Sequence, residues 1–381
     1  MNDFINSILD MPLDSRTKGI PIVDGFVRLR DVGAQGWNVV RGDMMFPLLT
    51  LREERMKQNL STMRSIAEHH NVCLAPHGKS TVCPQLYRDQ IDVGGSWGIT
   101  AATVQQTNVV AASGVDNIII ANQVMGPANI ASLAAIKTTF PQANIYSLVD
   151  SLETLRHLVD YGAAMLSGGM RFQVLLEAGY PGGRTGVRTM EQAVAVLDAI
   201  ARESATVQLC GIESYEGTIN LGSPEETIAG VDQFLDFCVE ILERAKAMDA
   251  FAGCDEVLLT AGGSAYFDRV VAKFTAAHSG PGTKIALRGG SYLTYDHGFY
   301  RTKLAEMEGR GGVEGVDGPI NVTRDFLPAL EIWSVVQSLQ DQGMAIMSMG
   351  IRDLPYDLGY PTPLRQYRGA EVVGNFETQN D

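Results

Sequence analysis

The chain of 381 residues is poor in cysteine, with five in all and no CxxC pair. Cys73, Cys83, Cys210, Cys238 and Cys254 are scattered and odd in number. That pattern argues against a disulfide framework or a zinc knuckle and for reduced thiols in the cytoplasm. No apolar run is long enough to span a bilayer, and no apolar N-terminal stretch resembles a signal peptide. Positive charge is also short. Thirty Lys and Arg against 44 Asp and Glu leave a net charge of −14, which argues against nucleic acid or an anionic membrane as partner. There is no low-complexity tract, and no repeat beyond a strand–helix unit. Histidines number six, and none follows His297.

What is present is a large apolar content and much glycine. The 45% hydrophobic share is ample for a sizeable core. The 40 glycines concentrate after predicted strands. Residues 1 to about 44 lack a strong period and carry turn signals at Gly19, Pro21, Gly25, Gly33 and Gly36. They read as an extended arm that packs on a later domain. "FPLLTL" from Phe46 reads as a strand leading into a helix. Thr50 and Glu53 fit a capping box there, with Met56, Leu60, Met63 and Ala67 following at helical spacing.

From there strands and helices alternate. Strands are expected at 72–76, 97–101, 117–122, 144–149, 171–176, 207–213, 256–260 and 284–288. Helices between them include 102–113, 151–165 with Asp150 and Glu153 as start signals, 189–203, and 224–248 with Ser223 as N-cap and Pro224 at the first position. Eight such units predict an α/β fold, a TIM (β/α)8 barrel. A doubly wound sheet is the alternative, but it favours a glycine-rich fingerprint after the first strand, and "HGKS" is not one. After about Tyr292 the alternation stops, and "ALEIWSVVQSLQ" and "GMAIMSMG" look like paired strands. The expected division is an arm (1–45), a barrel (46–291), and an incomplete β-rich domain (292–381), the last built together with the N-terminal arm.

One stretch, Cys73-Leu74-Ala75-Pro76-His77-Gly78-Lys79-Ser80, organises the rest. Lys79 is the only charge at the end of a short apolar strand. Burial disfavours an ammonium, so its pKa should fall. A lysine so tuned attacks carbonyl compounds and forms Schiff bases. On this stretch alone, a lysine snorkelling to the barrel rim fits equally well. His77 lies two residues earlier, on the same side of an extended strand. Two glycine turns follow strands seven and eight: Gly262, Gly263 and Ser264 in "LLTAGGSAYFD", and Gly289, Gly290 and Ser291 in "IALRGGSYLTYDHG". Barrels commonly hold a phosphate after these two strands, where glycine lets an anion approach the backbone N–H groups. Cys83, four residues after Lys79, reads as a small buried residue.

"PHGKS", then "CPQL", "GITAAT" and "GVDNIIIANQVMGP", resemble the D-threonine aldolase, D-serine dehydratase and amino acid deaminase family. The resemblance runs from about Phe46 to about Pro361. These enzymes use pyridoxal 5′-phosphate (PLP) and share the alanine racemase barrel. The resemblance implies that Lys79 carries PLP covalently and that the two glycine turns cradle its phosphate, with Tyr292 lining the cradle. It places Arg184 of "RTG" near the cofactor ring, at the ring oxygen or the substrate carboxylate. Tyr215 of "ESYEG" would approach the pyridine ring as a neutral partner; a core tyrosine with a satisfied hydroxyl is an equal alternative. His77 would contact the cofactor. His297 of "TYDHG" would orient substrate or serve a structural role.

The activity so implied is a PLP-dependent lyase on small-molecule D-amino acids with a β-hydroxyl. D-serine or D-threonine dehydration to a 2-keto acid and ammonia comes first, and D-threonine aldolase-type cleavage to glycine and an aldehyde is the alternative. An amino acid racemase and a non-catalytic PLP-binding protein are further alternatives. The family also uses a divalent metal (zinc, manganese or magnesium) held by a histidine with a cysteine or aspartate. Those ligands would lie beyond Asp381; the alternative is that this protein works without the metal. A homodimer is expected from related folds.

Overall fold

The structure is a computed structural model that describes residues 2–166, 168–254, 256–277, 282–355 and 359–376. The chain divides into two compact units. One comprises Leu60–Tyr292 with Glu306–Val322; the other comprises Met1–Asn59, Leu293–Ala305 and Thr323–Asp381.

The first unit is the expected barrel. Its strands are β1 (Cys73–Leu74), β2 (Ile99–Ala101), β3 (Asn117–Gln123), β4 (Asn144–Val149), β5 (Phe172–Ala178), β6 (Val207–Ser214), β7 (Val257–Ala261) and β8 (Thr283–Leu287). Every pair within this sheet is parallel, running in order from β2 to β8, and β1 pairs with β8. The seam between β1 and β2 closes through Trp97 N–H to the Leu74 oxygen (2.8 Å), Thr100 N–H to the Pro76 oxygen (2.9 Å) and a bridge between His77 and Thr100. The Thr100 hydroxyl adds a bond to the Ala75 oxygen (2.6 Å).

The strands form because apolar runs in parallel strands are covered on both sides. The inward side chains Ala75, Ile119, Tyr146, Leu148, Leu175, Cys210 and Leu258 make one cluster filling the lumen. Each large aliphatic side chain buried here contributes roughly 1.5–3 kcal/mol. The helices between strands include α1 (Pro84–Asp92), α2 (Val104–Ala112), α3 (Pro127–Thr139), α4 (Leu152–Gly162), α5 (Met190–Arg202), α6 (Pro224–Ala247) and α7 (Phe267–Ala277). Their starts follow capping chemistry. Thr103, Ser151, Thr189 and Ser223 each accept a first-turn N–H. Ser223 and Glu226 form a capping box ahead of Pro224. In α4 the cap is Ser151, with Thr154 closing the box, rather than Asp150 and Glu153. The buried face of α6 repeats every three to four residues, at Val231, Leu235, Cys238, Leu242 and Ala245.

The second unit is β-rich and draws on both chain ends. Leu48–Leu51 pairs antiparallel with Leu330–Trp333, Val336–Ser338 with Ile346–Met347, and Arg365–Arg368 with Glu371–Asn375. "ALEIWSVVQSLQ" therefore splits: its first half pairs with the N-terminal strand, and only its second half pairs with "GMAIMSMG". The capping box expected at Thr50 does not form. Thr50 lies inside a strand, where its hydroxyl accepts from Trp333 Nε1–H (3.1 Å) and donates to the Glu331 carbonyl oxygen (3.3 Å). No helix of the described residues is long and apolar enough to cross a membrane.

Candidate active site

Strand β1 is short, and the chain turns sharply after it. Gly78–Ser80 form one 3-10 turn, so the two-residue alternation expected to align His77 with Lys79 stops before the lysine. The turn is braced from α1, where the hydroxyl of the buried Tyr87 donates to the Gly78 oxygen (3.1 Å). Val82 holds φ at 42°, a left-handed conformation that a β-branched residue adopts only under constraint. Its N–H closes onto the Gly78 oxygen (3.0 Å).

Burial, then the charges of Arg184 and Arg288, hold the Lys79 pKa below the ordinary lysine value. The same arrangement pushes His77 down to about 3, through burial first and then Lys79 and Arg288. His77 is therefore a neutral imidazole at physiological pH. Its backbone N–H donates to the Arg288 oxygen (3.0 Å). Behind it the second glycine turn comes so close that a Cβ on Gly290 would stand 2.4 Å from the His77 oxygen.

The barrel mouth carries a buried charge cluster. Arg288, just past β8, lies within salt-bridge distance of Glu213 of β6, and both are buried. Its Nη2 also donates to the Ser214 oxygen (2.5 Å). Burial outweighs that partner and raises Glu213 to about 8. Glu177 at the end of β5 accepts from Gln123 Nε2 and from the Thr185 hydroxyl (2.5 Å). Burial raises its pKa too, opposed by those two donors.

The loop after β5 is folded back on itself. Gly179 N–H reaches the Val187 oxygen (2.9 Å), Val187 N–H the Glu177 oxygen (2.9 Å), and Gly186 N–H the Asp150 carboxylate (3.2 Å). Arg188 pins the Thr185 (2.8 Å) and Gly183 (3.0 Å) oxygens. The loop thus presents Arg184 with its guanidinium carbon 5.2 Å from the centre of the Tyr215 ring. Glu177, Tyr180, Arg184, Thr185, Tyr215 and Thr218 line one cleft. Burial and then Glu216 push the Tyr215 pKa up.

The two glycine turns differ. Gly262 N–H donates to Glu216 Oε2 (3.1 Å) and Gly263 N–H to Glu216 Oε1 (2.7 Å). These two amides are already engaged. Among the described residues, no protein group accepts from the backbone N–H of Ser264, Gly289, Gly290 or Ser291. Tyr292 is buried, and burial raises its pKa to about 12, opposed by Gln90 and Ser96 nearby. Cys83 sits at the N-cap of α1, with its thiol on Gln85 Oε1 (3.3 Å). His297 falls in the other unit. There its neighbour Asp296 accepts from Gly298 N–H (2.8 Å) and Tyr300 N–H (3.1 Å), starting the helix Phe299–Gly309.

Comparison with known proteins gives a consistent answer. No family model matches the chain. A D-threonine aldolase from Arthrobacter sp is 27% identical over 316 residues, covering 83% of this chain and 74% of that protein. A 3-hydroxy-D-aspartate aldolase from Paracoccus denitrificans (strain Pd 1222) is 25% identical over 321 residues, covering 84% and 75%. The crystal structure of D-threonine aldolase from Filomicrobium marinum superposes with a TM-score of 0.65 at 26% identity, covering 85% of this chain and 78% of that one. Over most of its length the chain is similar to D-threonine and 3-hydroxy-D-aspartate aldolases.

PLP, the cofactor that the resemblance implies, fits what the mouth offers. It requires an amine that is neutral at working pH, donors for a phosphate, and a flat surface for the ring. Lys79 is the amine. The four open amides and the hydroxyls of Ser264 and Ser291 are donors with no protein acceptor among the described residues. The Tyr215 ring beside Arg184 offers a flat surface.

Sequence reasoning missed Glu177, Glu213, Glu216 and Arg288. A signal for them was present, because each is a charge closing an apolar strand, in "VLLEAG", "GIESYEG" and "IALRGG". A charge there points at the barrel mouth.

Proposed function

We propose that the protein is a PLP-dependent lyase acting on D-amino acids with a β-hydroxyl. The observation that carries this reading is Lys79, held in a braced turn at the C-terminal end of β1 with its ammonium disfavoured. Bound there, PLP supplies the electron sink for the pair left at Cα.

The chain's own residues account for the rest. Neutral Lys79 Nζ takes a proton from Cα. Arg184 binds an anionic oxygen, of the substrate carboxylate or the cofactor ring. Tyr215 supports the ring from β6 as a neutral partner. Neutral His77 contacts the cofactor from the β1 side without adding a like charge beside Lys79. The open amides of the turns hold the phosphate. Loss of the Cα proton and the β-hydroxyl as water leaves an enamine, which hydrolyses to a 2-keto acid and ammonia.

A second reading is retro-aldol cleavage, favoured by the aldolase names of the relatives it resembles. In it the β-hydroxyl loses its proton, the Cα–Cβ bond breaks, and glycine and an aldehyde leave. The described residues bring together no group of three His, Cys, Asp or Glu able to hold a metal, so no step is assigned to one. A homodimer and a cytoplasmic location complete the proposal. No disulfide joins the described cysteines, in keeping with a reducing compartment.

Incubating the protein with D-threonine and PLP, with and without added divalent metal, tests the reading. 2-Oxobutanoate with ammonia identifies dehydration, and glycine with acetaldehyde identifies aldol cleavage. Formation of neither from D-threonine, D-serine or 3-hydroxy-D-aspartate sinks the proposal.

A further inference from the structure

The first glycine turn matches the pattern of an anion nest, yet its two amides close on a carboxylate of the protein itself. Glu216 is buried, and its two oxygens each take one N–H of consecutive residues, Gly262 and Gly263. A phosphate on those amides would have to displace a fully desolvated carboxylate and leave it unpaired, which is costly.

Glu216 directly follows Tyr215, and the two side chains serve different neighbours. A Cβ on Gly263 would stand 2.8 Å from Tyr215 Cε2, so the turn and the ring are in contact. The Glu216 clamp therefore fixes the β7 turn against the residue that meets the cofactor ring. Beyond the clamp, the first open amide is that of Ser264.

We infer that Glu216 is a positioning residue for the cofactor's phosphate end. It locks Gly262 and Gly263 out of phosphate binding and sets the β7 turn in register with Tyr215. Ser264 and the β8 turn, Gly289 to Ser291, then hold the phosphate. The inference rests on the PLP reading above and assigns the cradle to one part of the two turns.

The test compares PLP with pyridoxal, which has the same ring and aldehyde without the phosphate. Both are titrated into cofactor-stripped wild type, Glu216→Ala and Glu216→Gln, and binding is read from the absorbance band and borohydride labelling of Lys79. Glu216→Ala should lower the preference for PLP over pyridoxal about tenfold or more, since two hydrogen bonds that fix the turn are lost. Glu216→Gln keeps one acceptor oxygen and should lie between wild type and alanine. It also decides the matter if the alanine variant does not fold. General destabilisation lowers both affinities together and leaves their ratio unchanged, so an unchanged ratio in a folded variant overturns the inference. If the wild type binds neither compound, the PLP reading itself has failed.

Discussion

The guanidinium carbon of Arg184 lies 5.2 Å from the centre of the Tyr215 ring, and its charge is the second cause, after burial, that lowers the Lys79 pKa. One side chain thus both covers the ring and tunes the amine. Arg184→Met removes a cation that disfavours the ammonium, so the Lys79 pKa should rise. The amine reacts only when neutral. The pH at which borohydride-trapped PLP reaches half its maximum should therefore move upward, and an unmoved or lowered midpoint would refute the coupling. Turnover should fall roughly tenfold or more.

Lys79→Ala should abolish covalent labelling and lower turnover by about a thousandfold or more. Thermal melting of the cofactor-free variant should show no loss of stability, because the substitution removes a charge from a half-buried site. Peptide mapping that finds the label on another lysine would reassign the cofactor site.

Thr185 donates to Glu177 and so ties the Arg184 loop to the end of β5. Thr185→Val removes one buried hydrogen bond, worth about 1 kcal/mol. Loosening of Arg184 should raise KM roughly fivefold, with kcat changing less. A fall in kcat alone would place the loop's role at the reacting bond instead.

Glu213 ties pH to stability. Its folded pKa of about 8 lies above that of an exposed glutamate, with burial as the main cause. The folded state therefore holds a proton that the unfolded chain has released, and stability falls as pH rises toward 8 at up to about 1.4 kcal/mol per pH unit. Urea midpoints measured from pH 5.5 to 9 should decline, and Glu213→Gln should flatten the decline. Equal slopes for the two proteins would exclude Glu213 as the source.

Val82 is partly exposed and holds its left-handed backbone at a cost of order 1–3 kcal/mol. Asparagine tolerates that region better. Val82→Asn should raise stability by about 1 kcal/mol, read as a higher melting temperature. A lower one would mean that the Val82 side chain contributes more than its conformation costs.

The barrel was legible because its signals are local. Apolar runs, Ser and Thr caps and glycine turns recur at short spacing, and each predicted strand falls on an observed one. The details that escaped depend on distant partners. Thr50 looked like a cap because its real partner, Trp333, lies 283 residues away. "GGS" after β7 looked like an open nest because the carboxylate closing it stands 46 and 47 residues earlier. The alternation of His77 and Lys79 failed for another reason: β1 ends at Leu74, and a 3-10 turn begins at Gly78.

Gly290 and Lys79 meet the same short segment, the end of β1, and the contrast between them bears on how variation in this protein should be read. A methyl group on Gly290 collides with backbone at 2.4 Å, whereas Lys79 collides with nothing when shortened. A survey of random variants scored by activity alone would rank the two positions as equally intolerant. Scored by the amount of soluble, folded protein, the survey would separate them, since alanine is compatible with the fold at 79 and not at 290. Intolerance at the barrel mouth therefore has two origins, and only one of them marks chemistry.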